Sequence, residues 1–306
     1  MYNFFLEYLM KNEPEEVLSK SGIKVRKFIN PALRAVAPLT CKYKYKLVRR
    51  AEMPKGVPII YVPTHGFKDD VLGTILTIND SAYILFGSLP QFYNTFDGVT
   101  AWLNGTINID RTDSRSRKAS KEKMETALKW GANLIVYPEG VWDKSRNLLV
   151  LKLFPGFYNL AIKTGAWVAP VATHLEGDTI YGILDDAIDI GKYSQQEART
   201  LVRDKMASAK WEIMENYSKT TREQILQQTP YHNVECYWQD YLQSLISEVA
   251  YYDEEVENSS HYIDKNEVNI EDVYRVFQTM EPTKENLSAV VDGIKVLKLN
   301  NQNRYF

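Results

Sequence analysis

The stretch IIYVPTHGFKDDV, residues 59 to 71, sets a histidine directly behind an apolar run and an aspartate five residues further on. His65 can accept a proton near neutral pH, because an unperturbed imidazole titrates at about 6.5. A carboxylate on its other ring nitrogen, here Asp70, would hold one tautomer and stabilise the imidazolium, which is how a general base and its orienting acid work together. The same residues also fit a structural purpose, with His65 capping the next helix and Asp70 at that helix's positive end. Three later segments carry chemistry: GTINIDR (Gly105 to Arg111), VYPEG (Val136 to Gly140) and VAPV (Val168 to Val171). Arg111 presents a planar fork of donors that fits a phosphate or carboxylate. Glu139 suits an acceptor hydroxyl or a pairing with Arg111, and Gly140 allows a sharp turn or a close approach of backbone to substrate. Arg115, Arg117, Lys118, Lys121 and Lys123 follow Arg111 and read as the wet face of a helix.

In this order, at intervals of some thirty to forty residues, the four segments resemble the four blocks of the glycerolipid acyltransferase superfamily, the lysophosphatidic acid acyltransferases and their relatives. The resemblance spans roughly residues 50 to 190. It implies that His65 removes the proton from an acceptor hydroxyl and that Asp70 orients it. Gly105, Arg111, Pro138, Glu139 and Gly140 are then expected to bind substrate, with Arg111 on the acceptor's phosphate and Pro170 near the acyl pocket. It also implies an acyl thioester donor, acyl-CoA or acyl-carrier protein, as co-substrate, a lysophospholipid-like acceptor, and no cofactor or metal. Two departures stand out. Val141 and Trp142 occupy places where relatives commonly have threonine and arginine, leaving Lys144 or Arg146 as the substitute phosphate contact. Thr64 precedes the histidine where asparagine or serine is commoner. An acceptor without phosphate, in an N-acyltransferase or glycolipid acyltransferase, is the alternative these departures raise; a non-catalytic lipid-binding membrane adaptor is the rival from outside enzymology.

Positioning such residues calls for an α/β scaffold, since ligands in open α/β sheets sit beyond the carboxyl ends of strands. Strand-type runs at Val57 to Val62, Ala82 to Phe86, Asn133 to Tyr137 and Trp167 to Thr173 alternate with helical stretches at Asp113 to Trp130 and Phe157 to Lys163. Asp113 or Ser114 can cap the first of those helices, and Gly131 and Gly165 follow their last turns. Glu176, Gly177 and Asp178 mark a turn, so Trp167 to Leu175 and Thr179 to Ile190 are expected to form a hairpin. The predicted architecture is a mixed central sheet flanked by helices over residues 51–192. An amphipathic helical segment, 1–50, precedes it, and a helical region, 193–306, follows. The latter carries helices at Gln195 to Tyr217, Glu235 to Tyr252 and Lys284 to Leu299. Aromatic residues there, among them Tyr231, Tyr237, Trp238 and Tyr241, read as core at helical spacing.

A hydrophobic share of 44% with 25% charged residues is that of a folded globular chain rather than a disordered or polytopic one. Cys41 and Cys236 stand far apart, which disfavours a disulfide framework or a zinc site. The opening apolar run is cut by Glu7, and no stretch of about 18 apolar residues exists to span a bilayer. A cytoplasmic protein associated peripherally with the inner membrane face is expected. The net charge of -2 hides a polarity: residues 20 to 55 hold eleven Lys or Arg against Glu52 alone, while 229 to 281 hold twelve acids against Lys265 and Arg275. Val25, Phe28, Ile29, Leu33 and Val36 beside Lys24, Arg26, Lys27 and Arg34 suit an anionic lipid surface, or equally a solvated helix on the core. No nucleic-acid-binding module accompanies the basic stretch.

Overall fold

The computed structural model describes residues 18–67, 69–87, 102–111, 113–143 and 148–218. Seven strands form one sheet in the order β1-β7-β6-β2-β5-β3-β4. They are β1 (Lys44–Arg50), β2 (Ile59–Pro63), β3 (Ala82–Gly87), β4 (Thr106–Ile109), β5 (Asn133–Ile135), β6 (Trp167–Glu176) and β7 (Thr179–Leu184). The five strands from β6 to β4 run parallel, and β7 returns antiparallel to β6 with β1 parallel to it. The expected mixed sheet and hairpin are therefore present. The hairpin's second arm ends at Leu184, after which the Asp185 N–H donates to the Pro170 carbonyl and Ile188 bridges back to Val168.

β2 is the centre of the sheet, between β6 and β5, and every one of its five residues is buried. That explains its unbroken apolar run, because a parallel strand covered on both faces has no wet side to advertise. Successive side chains alternate between two cores. Ile60 and Val62 join a cluster with residues of α3 (Ser114–Lys129), α4 (Gly156–Thr164) and α5 (Gln195–Tyr217), while Ile59 and Tyr61 join Ile75 and Ile78 of α2 (Asp70–Ile78) on the other side. Capping follows the sequence signals closely. Asp113 accepts from the Arg115 N–H at the start of α3, Gly165 closes α4 in the left-handed region at φ 70°, and Ser194 forms a reciprocal capping box with Glu197 at the start of α5.

Three findings depart from expectation. Lys44–Arg50, read as part of the N-terminal helical segment, form the edge strand β1; its Lys44, Lys46, Arg49 and Arg50 suit an edge, and they mask the period-2 pattern. Lys123 is not on the wet face of α3 but 1% exposed among its buried residues. The helix α1 (Lys20–Val36) does form, yet it docks through Ile23 and Asn30 rather than through the stripe around Phe28. Asn30 Nδ2 donates to Asn104 Oδ1 at 3.0 Å, Asn104 Nδ2 donates to the Ala82 carbonyl at 3.0 Å, and Lys27 Nζ reaches the Gly131 carbonyl at 2.7 Å. The expected helices at Glu235 to Tyr252 and Lys284 to Leu299, with their aromatic residues, lie outside the described residues.

Helix α2, which brings Asp70 to its place, is seated tightly on β7. A Cβ on Gly182 would lie 2.0 Å from Thr77 Oγ1 and 3.1 Å from the Tyr45 hydroxyl, and that Thr77 hydroxyl donates to the Gly73 carbonyl at 2.6 Å. Replacing Gly182 with Ala is expected to overpack this seam and cost ~1–3 kcal/mol of stability, read as a lowered urea midpoint. An unchanged midpoint would show that α2 is free to shift.

Candidate active site

The parallel strands deliver the chemical residues to one end of the sheet. β2 ends at Pro63 and His65 follows; β5 ends at Ile135 and runs into Tyr137, Pro138, Glu139 and Gly140; β4 ends at Ile109 and runs into Asp110 and Arg111. His65 Nδ1 lies 2.8 Å from Asp70 Oδ2, and the same oxygen accepts from the backbone N–H of Gly66 at 2.8 Å and of Phe67 at 3.2 Å. Asp70 is fully buried at the first position of α2, where the helix dipole favours a negative charge. An oxygen that already accepts two backbone protons is an acceptor for the third group as well, so Nδ1 carries the imidazole proton. Nε2 is then the nitrogen with a lone pair to offer.

The histidine's peptide is fixed on both sides. Its N–H donates to Glu139 Oε1 at 2.9 Å, and its carbonyl accepts from the Asp143 N–H at 2.7 Å. The other oxygen of Glu139, Oε2, accepts from the Leu151 N–H at 2.8 Å. Burial pushes the Glu139 carboxyl up to about 8; the charge of Asp143 adds to the rise, and the Leu151 N–H, the Lys210 ammonium and the His65 N–H oppose it. Beside the imidazole lies the Tyr137 ring, 4.3 Å between centroids, and the Trp142 ring meets it edge-on at 6.0 Å. The Tyr137 hydroxyl donates to Thr74 Oγ1 at 3.1 Å, and burial, with the nearby charge of Asp70, pushes its titration well above the usual phenol range.

Arg111 joins the constellation by donating to the Gly140 carbonyl, and Arg117 in turn holds the Arg111 carbonyl at 2.6 Å. Gly140 adopts φ 75°, and a Cβ there would come within 2.9 Å of the Phe154 ring, so glycine serves both the turn and the fit. Pro138 is buried, and its carbonyl accepts from the Phe154 N–H at 2.8 Å. Pro170 is buried in β6 opposite Val62 of β2.

Gly105 is not brought to this end. It precedes β4, at the strand's other end from Arg111, and its φ of 114° and the Tyr83 ring 3.0 Å from a would-be Cβ give it a structural reason to be glycine. His174, near the end of β6, has its Nε2 3.5 Å from Glu176 Oε2. Lys144 and Arg146 lie outside the described residues. The neighbours that sequence reasoning missed are Tyr137 and Leu151. Tyr137 opens the turn that carries Glu139, with its carbonyl accepting from the Gly140 N–H at 3.1 Å, and that turn brings its ring beside His65. The Leu151 amide leaves no trace in side-chain chemistry. Among the described residues no group of His, Cys, Asp and Glu could hold a metal ion.

Known proteins resemble this chain in sequence and in fold. The acyltransferase family model matches residues 44–174. A 1-acyl-sn-glycerol-3-phosphate acyltransferase from Chlamydomonas reinhardtii is 26% identical over 145 residues, 47% of this chain and 42% of that protein, so the chain spans less than half of its relative's length. In fold, the chain resembles the crystal structure of the 1-acyl-sn-glycerophosphate acyltransferase PlsC from Thermotoga maritima. The TM-score is 0.53 and the identity 18%, covering 64% of this chain and 84% of that one. Residues 44–174, less than half of the chain, are thus similar to the acyltransferase family.

Glu139 gives the site a measurable pH signature. Its folded value, about 8, lies above the ordinary 4.5, so the folded chain holds this proton more tightly than the unfolded one. The stability it contributes is complete below the unfolded value and is lost as pH rises through the folded value of about 8. Urea midpoints are expected to fall for the wild type from about pH 5 to about pH 8 relative to Glu139→Gln, which lacks the group. Parallel pH profiles for the two proteins would contradict the assignment.

Proposed function

We propose that this chain transfers an acyl group from a thioester, acyl-CoA or acyl-carrier protein, to the hydroxyl of a lysophospholipid or glycerol phosphate type acceptor. The observation that carries this reading is the buried Asp70 carboxylate on His65 Nδ1 at 2.8 Å, within the stretch that matches the acyltransferase family model. His65 Nε2 takes the proton of the acceptor hydroxyl as its oxygen attacks the thioester carbonyl carbon. The resulting imidazolium is stabilised by Asp70. Collapse of the tetrahedral intermediate breaks the carbon–sulfur bond, and the imidazolium proton goes to the departing thiolate, restoring the neutral base. Positioned proton transfer of this kind contributes about 10² to 10⁴ in rate. Arg111, tied to the turn at Gly140, brings positive charge to the same end of the sheet and suits an acceptor's phosphate or carboxylate.

The acceptor's head group has a second reading. Trp142, rather than a cation, stands edge-on to His65, which favours a sugar or amine-bearing acceptor over a bare phosphate. Purified protein given both classes of acceptor with one acyl thioester, and product identification by mass spectrometry, separates the two. His65→Ala is expected to lower turnover by at least ~10²-fold with the thermal melt unchanged. Full activity in that variant would sink the mechanism, and thioester cleavage with no acceptor product would make the protein a hydrolase.

A membrane surface is the proposed location of the acceptor. Phe28 on α1 is 85% exposed and Leu39 just beyond it 82%, among the lysines and arginines of residues 20 to 55. Among the described residues no helix is long and apolar enough to cross a membrane, so the contact proposed is with the interface. Changing Phe28 and Leu39 together to Asp is expected to reduce co-sedimentation with anionic liposomes by roughly tenfold or more, while His65→Ala leaves it unchanged. Equal sedimentation of the double variant and wild type would remove this surface from the reading.

A further inference from the structure

We propose that Glu139 is a positioning residue, which holds the His65 peptide at the height the reaction needs and does not contact the acceptor. This inference rests on His65 being the base. Glu139 is 1% exposed, and both of its carboxylate oxygens are taken up by backbone donors, Oε1 by the His65 N–H at 2.9 Å and Oε2 by the Leu151 N–H at 2.8 Å. An acceptor hydroxyl could reach the remaining lone pairs only by opening the packing that leaves Glu139 almost without exposed surface. The two donors come from different directions in sequence, one from the turn after β2 and one from the segment leading into α4. The carboxylate is therefore a bridge between them, anchored on the turn after β5.

This bridge determines what His65 can do. Asp70 fixes the ring through Nδ1, but a ring bond alone leaves the backbone free to translate by pivoting about that contact. The Glu139 and Asp143 bonds to the peptide N–H and carbonyl remove that freedom. Misplacing a reacting atom by an ångström costs around 10²-fold in rate without weakening substrate binding. Glutamine fills almost the same volume as glutamate, yet one of its two terminal atoms is an NH₂ that would face a backbone N–H, donor against donor. Aspartate keeps both acceptors on a shorter stem.

The test combines kinetics with one resonance. In Glu139→Gln, kcat is expected to fall at least ~10-fold with the acceptor KM held within about twofold, and Glu139→Asp to recover part of the loss. In protein labelled with ¹⁵N-histidine, the His65 amide, identified by its disappearance in His65→Gln, is expected to move upfield in both Glu139 variants as its carboxyl acceptor is lost or retracted. An acceptor KM raised ~10-fold or more with kcat preserved would overturn the proposal and make Glu139 an acceptor ligand. An unmoved His65 amide would overturn it as well. If the wild-type protein transfers no acyl group to any acceptor offered, the functional reading fails, and the amide resonance alone still decides whether the bridge exists.

Discussion

A carboxylate with no access to water must find its partners inside the protein, and Asp70 is such a group. It gathers two backbone N–H groups and the imidazole on one oxygen at the amino end of α2. Those donors lie in the turn between β2 and α2, and α2 is seated closely on β7 and β6. Gly73 and Gly182 make that seat, each leaving no room for a side chain. The position of one proton on His65 thus depends on how closely a helix and a strand can approach more than a hundred residues apart in sequence.

The sheet order supplies the rest. β2 and β5 are neighbours, so His65 and Glu139 emerge side by side and bond directly. β4 lies one strand further out, beyond β3, and Arg111 reaches across about 10 Å of sheet to the Gly140 carbonyl. Aromatic rings of Tyr137 and Trp142 lie beside the imidazole, one tilted against it and one edge-on.

Much of this was legible in the sequence for physical reasons. Long apolar runs without polar alternation marked the buried parallel strands, and Asp113 and Gly165 marked helix ends because capping is local chemistry. The His65 and Asp70 pair was legible because five residues bracket a single turn. β1 was not, since an edge strand studded with lysine and arginine has no hydrophobic period. Nor was the burial of Lys123, which periodicity assigns to solvent and only tertiary packing places inside. Glu139 was picked out, but its bonding was not, because its partners are peptide groups that every residue possesses.

β1 has a consequence for how this chain reaches its fold. Lys44 pairs with Thr179 and Arg50 with Leu184, so the first strand of the sheet to leave the ribosome must wait until nearly the whole domain has been made before it finds a neighbour. Pairings of that range are slow, and an unpaired strand is an invitation to other chains. Four basic residues within seven keep such a strand soluble and repel its copies from one another. The same charges that obscured β1 in the sequence are what make it safe to synthesise first and pair last.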